Sequence, residues 1–306
     1  MGRAKILARV STTVVVAAAA TMVAVGWFIG CSGERPITVG SKNFTEQVIL
    51  GEIVAQHLEQ RLGQKVVRKL YLGGTLLAHQ ALVNGDIDLY PEYSGTALTA
   101  VLKLPPSSGL ATVFATVKTE YLARFHLQWL DPLGFNNTFA MVIRGEDARR
   151  NRIETLSEAA KHAPGWRLGV GYEFQQRPDG LEGLLKIYGL PLSGSAKTMD
   201  LGLLYKALDQ KQVDMVAANA TDGQLSVLDV TVLRDDKSYF PPYQAALVVR
   251  AETLKAHPLL SQSLNELAGR FSDETMRRLN YQVDGEHRPV REVAQTFLKG
   301  SKLIPE

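Results

Sequence analysis

Two short polar segments of this sequence stand where α/β proteins bind small molecules. Ser41–Thr45 follows a run of β-forming residues at 37–40 (ITVG), and Tyr93–Thr96 follows another run at 87–90 (IDLY). Both runs are predicted to be strands that lead into helices. In such sheets, ligands bind at the carboxyl ends of the strands, next to helix N-termini. The two segments are therefore the first candidate elements of a binding site.

The sequence lacks the residue patterns of common catalytic centres. Cys31 is the only cysteine, which excludes an intrachain disulfide and a thiolate zinc site. The six histidines include no His-Glu-x-x-His pair, and no Gly-x-Ser-x-Gly nucleophile turn occurs. Gly73–Thr75 lacks the rest of a phosphate-binding loop and is typical of a turn before a helix. We therefore expect no catalytic residue, no metal site and no cofactor.

Length and charge narrow the class of protein further. A chain of 306 residues is long enough for two domains. Of its 34 basic residues, Arg3, Lys5 and Arg9 lie in the first 30 positions, which leaves 31 basic against 31 acidic residues in the chain. Such a neutral body lacks the excess of Lys and Arg that nucleic acid binding requires, so we expect no nucleic acid partner.

The N-terminus has the pattern of an export signal. A basic segment precedes 21 uncharged residues at 10–30, which predicts a signal peptide over residues 1–30. Phe28–Cys31 resembles a bacterial lipobox, so we expect cleavage before Cys31, lipid attachment to it, and a tether over residues 31–36. The alternative is an uncleaved anchor, because the apolar run could also span a bilayer. Both place the body of the chain in the periplasm or at the cell surface, attached to a membrane.

Strands and helices are predicted to alternate along the rest of the chain. The strand at 37–40 leads into a helix that Asn43 and Glu46 would begin as a capping box and Gly63 would end. This order predicts two α/β lobes joined by two crossovers. The further predicted strands are 65–71, 87–90, 140–144, 166–171, 213–218 and 243–249, and the further helices are 75–84, 181–188, 203–208 and several from Thr253 onward.

Six short blocks of the sequence together form a family signature: Ser41–Gln47 (SKNFTEQ), Gly85–Thr96 (GDIDLYPEYSGT), Leu133–Thr138 (LGFNNT), Phe174–Gly180 (FQQRPDG), Ala220–Gly223 (ATDG) and Phe240–Tyr243 (FPPY). These blocks resemble the substrate-binding proteins of osmoprotectant ABC importers, which take up glycine betaine, choline, carnitine and related compounds. One block would be weak evidence, but the six follow the family order across about residues 37–250.

The resemblance implies a type II periplasmic-binding-protein fold. Two α/β lobes would be joined by a two-strand hinge and would trap a ligand in the cleft between them. Lobe 1 would comprise residues 37–138 plus 243–306, and lobe 2 would comprise residues 139–242. The chain would deliver an osmolyte to the subunits of an ABC permease and would not be an enzyme.

The resemblance also implies which residues contact the ligand. A quaternary ammonium has no N–H to donate, but it is attracted to aromatic faces, whereas a carboxylate is recognised by cations and donors. Carried over by position, Lys42, Thr96 and Arg177 would bind the carboxylate. Tyr93 and Tyr243 would face the ammonium group.

Three further positions suggest a reduced aromatic cage. Where many family members have tyrosine, this chain has Leu133 and Asn219, and Asp131 lies where the family has an acid that supports the cage. Each lost face removes about 0.5–2 kcal/mol of cation–π attraction. We therefore expect a weaker betaine site or a site shifted towards another zwitterion. The aromatic residues that could rebuild the wall are Tyr71, Tyr90, Phe135 and Tyr172.

Other interpretations of the sequence remain open. Arg177 could pair with Asp179 or Glu173 rather than with a ligand. The chain could instead be a receptor that reports its ligand to a separate signalling partner. It could also be an exported α/β enzyme with Asp131 or Asp222 as a base, although no paired nucleophile or acid accompanies them.

Overall fold

The computed structural model of the protein describes residues 35–161 and 165–305, which contain two separate five-stranded sheets. The predicted export signal and Cys31 lie outside the described residues. The strands are β1 (Thr38–Gly40), β2 (Val67–Lys69), β3 (Leu89–Tyr93), β4 (Leu127–Asn136), β5 (Phe139–Arg144), β6 (Leu168–Val170), β7 (Lys197–Thr198), β8 (Met215–Asn219), β9 (Val230–Leu233) and β10 (Gln244–Arg250).

The strands of the two sheets run in the same pattern of directions. The first has the order β2-β1-β3-β10-β4, in which β1 is parallel to β2 and β3, and β10 is antiparallel to β3 and β4. The second has the order β7-β6-β8-β5-β9, with β5 antiparallel to β8 and β9. We call the structure built on the first sheet lobe 1 and that built on the second lobe 2. The chain crosses between the lobes after β4 and before β10, which confirms the predicted fold class.

Helices pack on both faces of each sheet. They are α1 (Thr45–Leu62), α2 (Thr75–Asn84), α3 (Ser94–Thr96, continued by a π-helical turn at Ala97–Val101), α4 (Leu110–Phe125), α5 (Gly145–Asn151), α6 (Leu156–Ala159), α7 (Tyr172–Gln176), α8 (Leu181–Tyr188), α9 (Leu204–Asp209), α10 (Ala251–Ala256), α11 (Leu260–Asn265), α12 (Asp273–Asp284) and α13 (Val290–Gly300). Short 3₁₀ turns occur at Leu201–Leu203 and Gly223–Ser226. Across the described ranges, no helix is both long enough and apolar enough to cross a membrane.

The alternation of buried residues along β10 and β5 places a core on each face of each sheet. Ala245, Leu247 and Val249 pack with α1 and the C-terminal helices, whereas Ala246 and Val248 pack with α2 and α4. In β5, Met141 and Ile143 belong to one core of lobe 2, and Ala140 and Val142 belong to the other. Both lobes therefore bury both faces of their central strands, as mixed and parallel sheets in α/β proteins do, whereas the edge strands are partly exposed.

Most predicted elements are present, with shifted ends. The helix predicted at 75–84 is α2, and the one at 181–188 is α8. Gly63 and Gly85 end their helices in the left-handed conformation, as expected. The long strand β4 was not predicted. Asp131, Pro132 and Gly134 interrupt its apolar alternation, and its pairing with β10 contains register shifts.

The glycine in β4 lets the C-terminal helices approach the sheet. Gly134 has a φ of +113°, and a Cβ at this position would lie 2.5 Å from the backbone oxygen of Phe271. The amide of Phe271 donates to the carbonyl of Leu133 at 3.1 Å. Lobe 1 is thereby closed against its own C-terminal region.

We expect Gly134→Ala to lower the free energy of unfolding by about 3 kcal/mol, because the new methyl group meets backbone and the φ is unfavourable for alanine. Urea unfolding would measure the loss. The matched control is Gly189→Ala, where φ is +64° and no atom lies within 4 Å of the added Cβ. That variant should lose only about 1 kcal/mol. Equal losses in the two variants would contradict the close approach.

Candidate functional site

Lys42 lies in the connection between β1 and α1, and its ammonium group is buried. Its Nζ donates to Glu92 Oε1 at 2.6 Å and to Thr75 Oγ1 at 3.3 Å. The same Nζ lies 4.8 Å from the centroid of the Tyr93 ring and 5.9 Å from that of Phe44. A buried charge requires a partner of opposite sign, which Glu92 supplies. The ammonium group therefore lies over two rings without excess positive charge.

Glu46 is the polar centre beside Tyr93. Helix α1 begins at Thr45 after Phe44, without a side-chain cap, so the capping box predicted for Asn43 and Glu46 is wrong. The Glu46 carboxylate is instead buried, and burial raises its pKa above the ordinary value, even though four donors lower it. These donors are Tyr93 Oη (2.6 Å), Asn137 Nδ2 (2.8 Å), Thr221 Oγ1 (2.5 Å) and Asn280 Nδ2 (3.1 Å).

Arg177 connects lobe 2 to lobe 1. Its Nε donates to Asp179 Oδ1 at 2.9 Å and its Nη2 to Asp179 Oδ2 at 2.5 Å, which is a two-point grip on one carboxylate. Its Nη1 donates to Thr96 Oγ1 at 2.9 Å. The alternative in which Arg177 pairs with Asp179 is therefore present, but in a buried position beside Thr96 rather than at the surface.

Tyr243 lies on the other side of Asp179. Its hydroxyl donates to Asp179 Oδ2 at 2.5 Å, and its ring lies 5.6 Å from the Arg177 Cζ. The ring of Phe139 lies 4.9 Å from the same Cζ and meets Tyr243 edge-on at 5.6 Å between centroids. Burial alone would raise the pKa of Asp179, but the charge of Arg177 and the hydrogen bonds hold it below its ordinary value. A Cβ on Gly95 would lie 2.7 Å from the Tyr243 ring, so glycine leaves room for it.

A second carboxylate of lobe 2 joins the two cations into one network. Glu173 accepts from the backbone amide of Thr75 at 2.5 Å and from Thr75 Oγ1 at 3.1 Å, at the start of α2. Its Oε2 is 3.8 Å from Arg177 Nη1. Burial would raise the pKa of Glu173, but the charge of Lys42 and the bonds to Thr75 lower it below its ordinary value. The start of a helix favours a carboxylate, so this contact stabilises the approach of the lobes.

The structure thus brings together five of the predicted positions and leaves three outside this network. Leu133 is buried in the core of lobe 1, and Asp131 is exposed on β4. Asn219 ends β8, where its amide Nδ2 donates to Asp222 Oδ1 at 3.4 Å. The five that meet are Lys42, Tyr93, Thr96, Arg177 and Tyr243. Of the four aromatic residues considered for the wall, Tyr71 and Tyr172 are exposed, and Tyr90 and Phe135 are buried in lobe 1.

Several residues of the network were missed from the sequence. Phe44 and Phe139 supply rings beside the two cations; Phe44 lies within the block Ser41–Gln47, and Phe139 directly follows the block Leu133–Thr138. Glu46 has a sequence signal, but the signal indicates local capping. Thr221 belongs to the block Ala220–Gly223 without a separate role. Phe139, Glu46 and Thr221 act through partners far away in sequence, which spacing alone does not identify.

The chemistry of this network is that of binding. Its cations are paired with carboxylates, and its rings face cations. Within residues 35–161 and 165–305, no group of three or more His, Cys, Asp or Glu side chains could hold a metal ion. The arrangement can hold a small charged molecule between two lobes by cation–π and charge-assisted contacts.

Asp222 lies at the edge of this network, and the burial of its carboxyl group can be tested by varying the pH. It accepts from the backbone N–H of Asn219 at 3.0 Å and from the Tyr205 hydroxyl at 3.1 Å, and burial raises its pKa to about 6. The folded state therefore favours the neutral acid. This contribution to stability is complete below the ordinary pKa of 3.8 and is lost as the pH rises through about 6.

We expect Asp222→Asn to remove the loss of stability at rising pH, because an amide does not ionise. The free energy of unfolding of the variant, minus that of the wild type, should rise by about 2 kcal/mol between pH 4 and pH 7. Denaturant unfolding at several pH values would measure it. The control is Asp209→Asn, an exposed position at the end of α9. A difference that does not change with pH would refute the buried acid.

Comparison with known proteins identifies the relatives of this chain. Residues 35–300 match the family described as the substrate-binding domain of the ABC-type glycine betaine transport system. The ergothioneine transport permease/ergothioneine binding protein of Helicobacter pylori is 39% identical over 267 residues, which cover 87% of this chain but only 48% of that protein. The chain therefore spans about half the length of this relative.

Two further comparisons extend over nearly the full length of both partners. The glycine-betaine-binding protein of Pseudomonas aeruginosa is 36% identical over 287 residues, covering 90% of this chain and 91% of that protein. The crystal structure of a glycine betaine/carnitine/choline ABC transporter protein superposes with a TM-score of 0.74 at 34% identity, covering 87% and 99%. The chain therefore belongs to the family of substrate-binding domains of ABC-type glycine betaine transport systems.

Proposed function

We propose that this chain is an extracytoplasmic receptor that binds a quaternary-ammonium zwitterion between its lobes and delivers it to an ABC permease. The observation that carries the proposal is the pair of buried tyrosines at the lobe junction, Tyr93 and Tyr243, each with a cation over its ring. Lys42 Nζ is 4.8 Å from one ring centroid, and Arg177 Cζ is 5.6 Å from the other. Both distances are within the range of cation–π attraction, so these rings are placed to attract a positive group.

The named ligands of the relatives support this class of ligand. Glycine betaine, carnitine and ergothioneine all combine a trimethylammonium group with a carboxylate. Aromatic faces can recognise the first group, and donors and cations can recognise the second. Arg177 has five N–H donors, of which Asp179 and Thr96 take three. One N–H of Nη1 and one of Nη2 are therefore left for a ligand carboxylate beside Thr96.

Leu133, Asn219 and Asp131, which lie outside the network, are the basis for proposing that the aromatic cage of this protein is reduced. Leu133 supplies no ring, and Asn219 is turned towards Asp222. Asp131 is exposed, so its charge would act on a ligand only at longer range. We propose that fewer aromatic faces make the chain bind glycine betaine less tightly than a receptor with four tyrosines, or prefer a different zwitterion.

The proposal includes the organisation of the exported chain. Residues 1–30 would be the signal peptide, and Cys31 would carry the lipid at the start of a tether over residues 31–36. The lobes would be residues 37–138 plus 243–306 and residues 139–242. The receptor would then be held at the outer surface of a membrane, near its permease.

Calorimetric titration of residues 32–306 tests the proposal directly. The candidates are glycine betaine, carnitine, choline, ergothioneine, ectoine and proline. Saturable binding of a quaternary-ammonium compound, which is recovered unchanged by proton NMR, is the expected result. Turnover of the bound compound would instead support the enzyme alternative. Binding of ectoine or proline alone would refute the quaternary ammonium as the recognised group.

We expect Tyr93→Leu to weaken binding of the quaternary-ammonium ligand about tenfold, because one cation–π face is lost while apolar volume remains. Titration calorimetry would measure the change. The matched control is Tyr121→Leu, since Tyr121 is equally buried in lobe 1 but outside the network. The control should lower the melting temperature without changing the affinity. Equal affinities for Tyr93→Leu and the wild type would argue against the assigned ring.

A further inference from the structure

Both predicted ligand-facing tyrosines donate their hydroxyl groups to buried carboxylates. The Tyr93 hydroxyl donates to Glu46 Oε1 at 2.6 Å, and the Tyr243 hydroxyl donates to Asp179 Oδ2 at 2.5 Å. Glu46 is 3% exposed and Asp179 is 0% exposed. The two pairs lie on different elements of the fold, so the same local chemistry has been built twice around one junction.

A phenol that donates to a carboxylate is a stronger cation acceptor than a free phenol. The hydrogen bond draws the proton towards the carboxylate, which shifts electron density from the oxygen into the ring. The ring face becomes more negative, and its attraction for a cation rises. Low surrounding polarity increases the effect, because little water screens the carboxylate.

Glu46 has no cationic partner of its own among its hydrogen-bond donors. All four of them, including Tyr93 and Thr221, are neutral hydroxyl or amide groups. Lys42, the cation over the Tyr93 ring, is paired with a different acid, Glu92, at 2.6 Å. Above its raised pKa, Glu46 carries a charge that none of these donors neutralises, and this charge can act through the phenol on whatever approaches the ring.

We propose that Glu46 is a specificity-determining residue, which tunes Tyr93 to select a positively charged head group over a neutral one of the same shape. Asp179 is already paired with Arg177, so its bond to Tyr243 holds that ring without the same effect. This inference rests on the proposed function, because it concerns the same site. It also gives a physical reason why a site without tyrosines at positions 133 and 219 would keep a cationic ligand, since a face of greater electron density compensates for the missing faces.

The test compares a charged ligand with its neutral carbon isostere. Glycine betaine and 3,3-dimethylbutanoate have the same shape and carboxylate, but only the first has a positive head. We expect Glu46→Gln to lower the affinity for glycine betaine about tenfold and to lower that for 3,3-dimethylbutanoate much less. The readout is the ratio of the two dissociation constants, since any general disturbance of the site affects both ligands alike.

Two further variants keep the test decisive. Tyr93→Phe retains the ring but removes the hydroxyl, so adding Glu46→Gln in that background should leave the ratio unchanged. Glu52→Gln is the matched control, because Glu52 is also buried on α1 but pairs with Arg68 at 2.8 Å and contacts no tyrosine of the site. It should leave the ratio at the wild-type value.

The outcomes separate this inference from the function on which it rests. If the wild type binds glycine betaine but Glu46→Gln weakens both ligands equally, Glu46 is only structural and the inference is overturned. A wild type that binds both ligands equally well overturns it too. If glycine betaine does not bind, choline and 3,3-dimethylbutan-1-ol form the equivalent pair. Failure of the wild type to bind any quaternary-ammonium compound overturns the proposed function itself.

Discussion

The arrangement of this protein depends on buried carboxylates that need hydrogen-bond donors from both lobes. Removing an ionised carboxylate from water costs several kcal/mol unless partners replace the lost solvent. Glu46 of lobe 1 takes one of its donors, Thr221, from lobe 2, and Asp179 of lobe 2 takes the hydroxyl of Tyr243. If the lobes separated, these hydrogen bonds would break and water would have to replace the lost partners. The hydrogen bonds that hold the lobes together are therefore the same bonds that supply donors to the buried carboxylates.

The aromatic residues at this junction meet cations that belong to the protein. Lys42 and Arg177 each lie over a tyrosine ring, and each is neutralised by an acid at hydrogen-bond distance. Without those acids, two positive charges would repel a cationic ligand from the rings that should attract it. The ion pairs thus have an electrostatic consequence for binding, beyond any effect on stability, which is commonly small for buried pairs.

Lys42, Tyr93 and Thr96 could be placed from sequence because strand-to-helix connections fix their positions. Lys42 follows β1, and Tyr93 and Thr96 lie at and after the end of β3, so neighbouring strands bring them to one edge of the sheet. Arg177 and Tyr243 were implied only by the family resemblance. The order of strands and helices predicted two α/β lobes, and the resemblance implied the type II binding-protein fold. Strand β4 was not predicted, because Pro132 and Gly134 break its pattern and only pairing with β10 keeps it extended.

Glu46 shows why the rest of the site could not be predicted. Its spacing from Asn43 satisfies a local rule for helix capping, and that rule was wrong because stronger partners compete for the carboxylate. Those partners lie far away in sequence: Tyr93 is 47 residues and Thr221 is 175 residues distant. Local patterns describe which contacts a residue can make with its neighbours. They do not describe contacts that exist only after two lobes have formed and met.

The hydrogen bonds from the two tyrosines to buried carboxylates also hold their rings in place. A buried phenol tied to a carboxylate loses its rotational freedom during folding rather than during binding. The entropic cost of ordering a contact side chain, about 0.5–1.5 kcal/mol, is then not subtracted from the affinity for a ligand. A cage with many free rings would bear that cost for each ring. Two rings fixed by Glu46 and Asp179 can therefore recover part of the affinity that the residues at positions 133 and 219 do not provide.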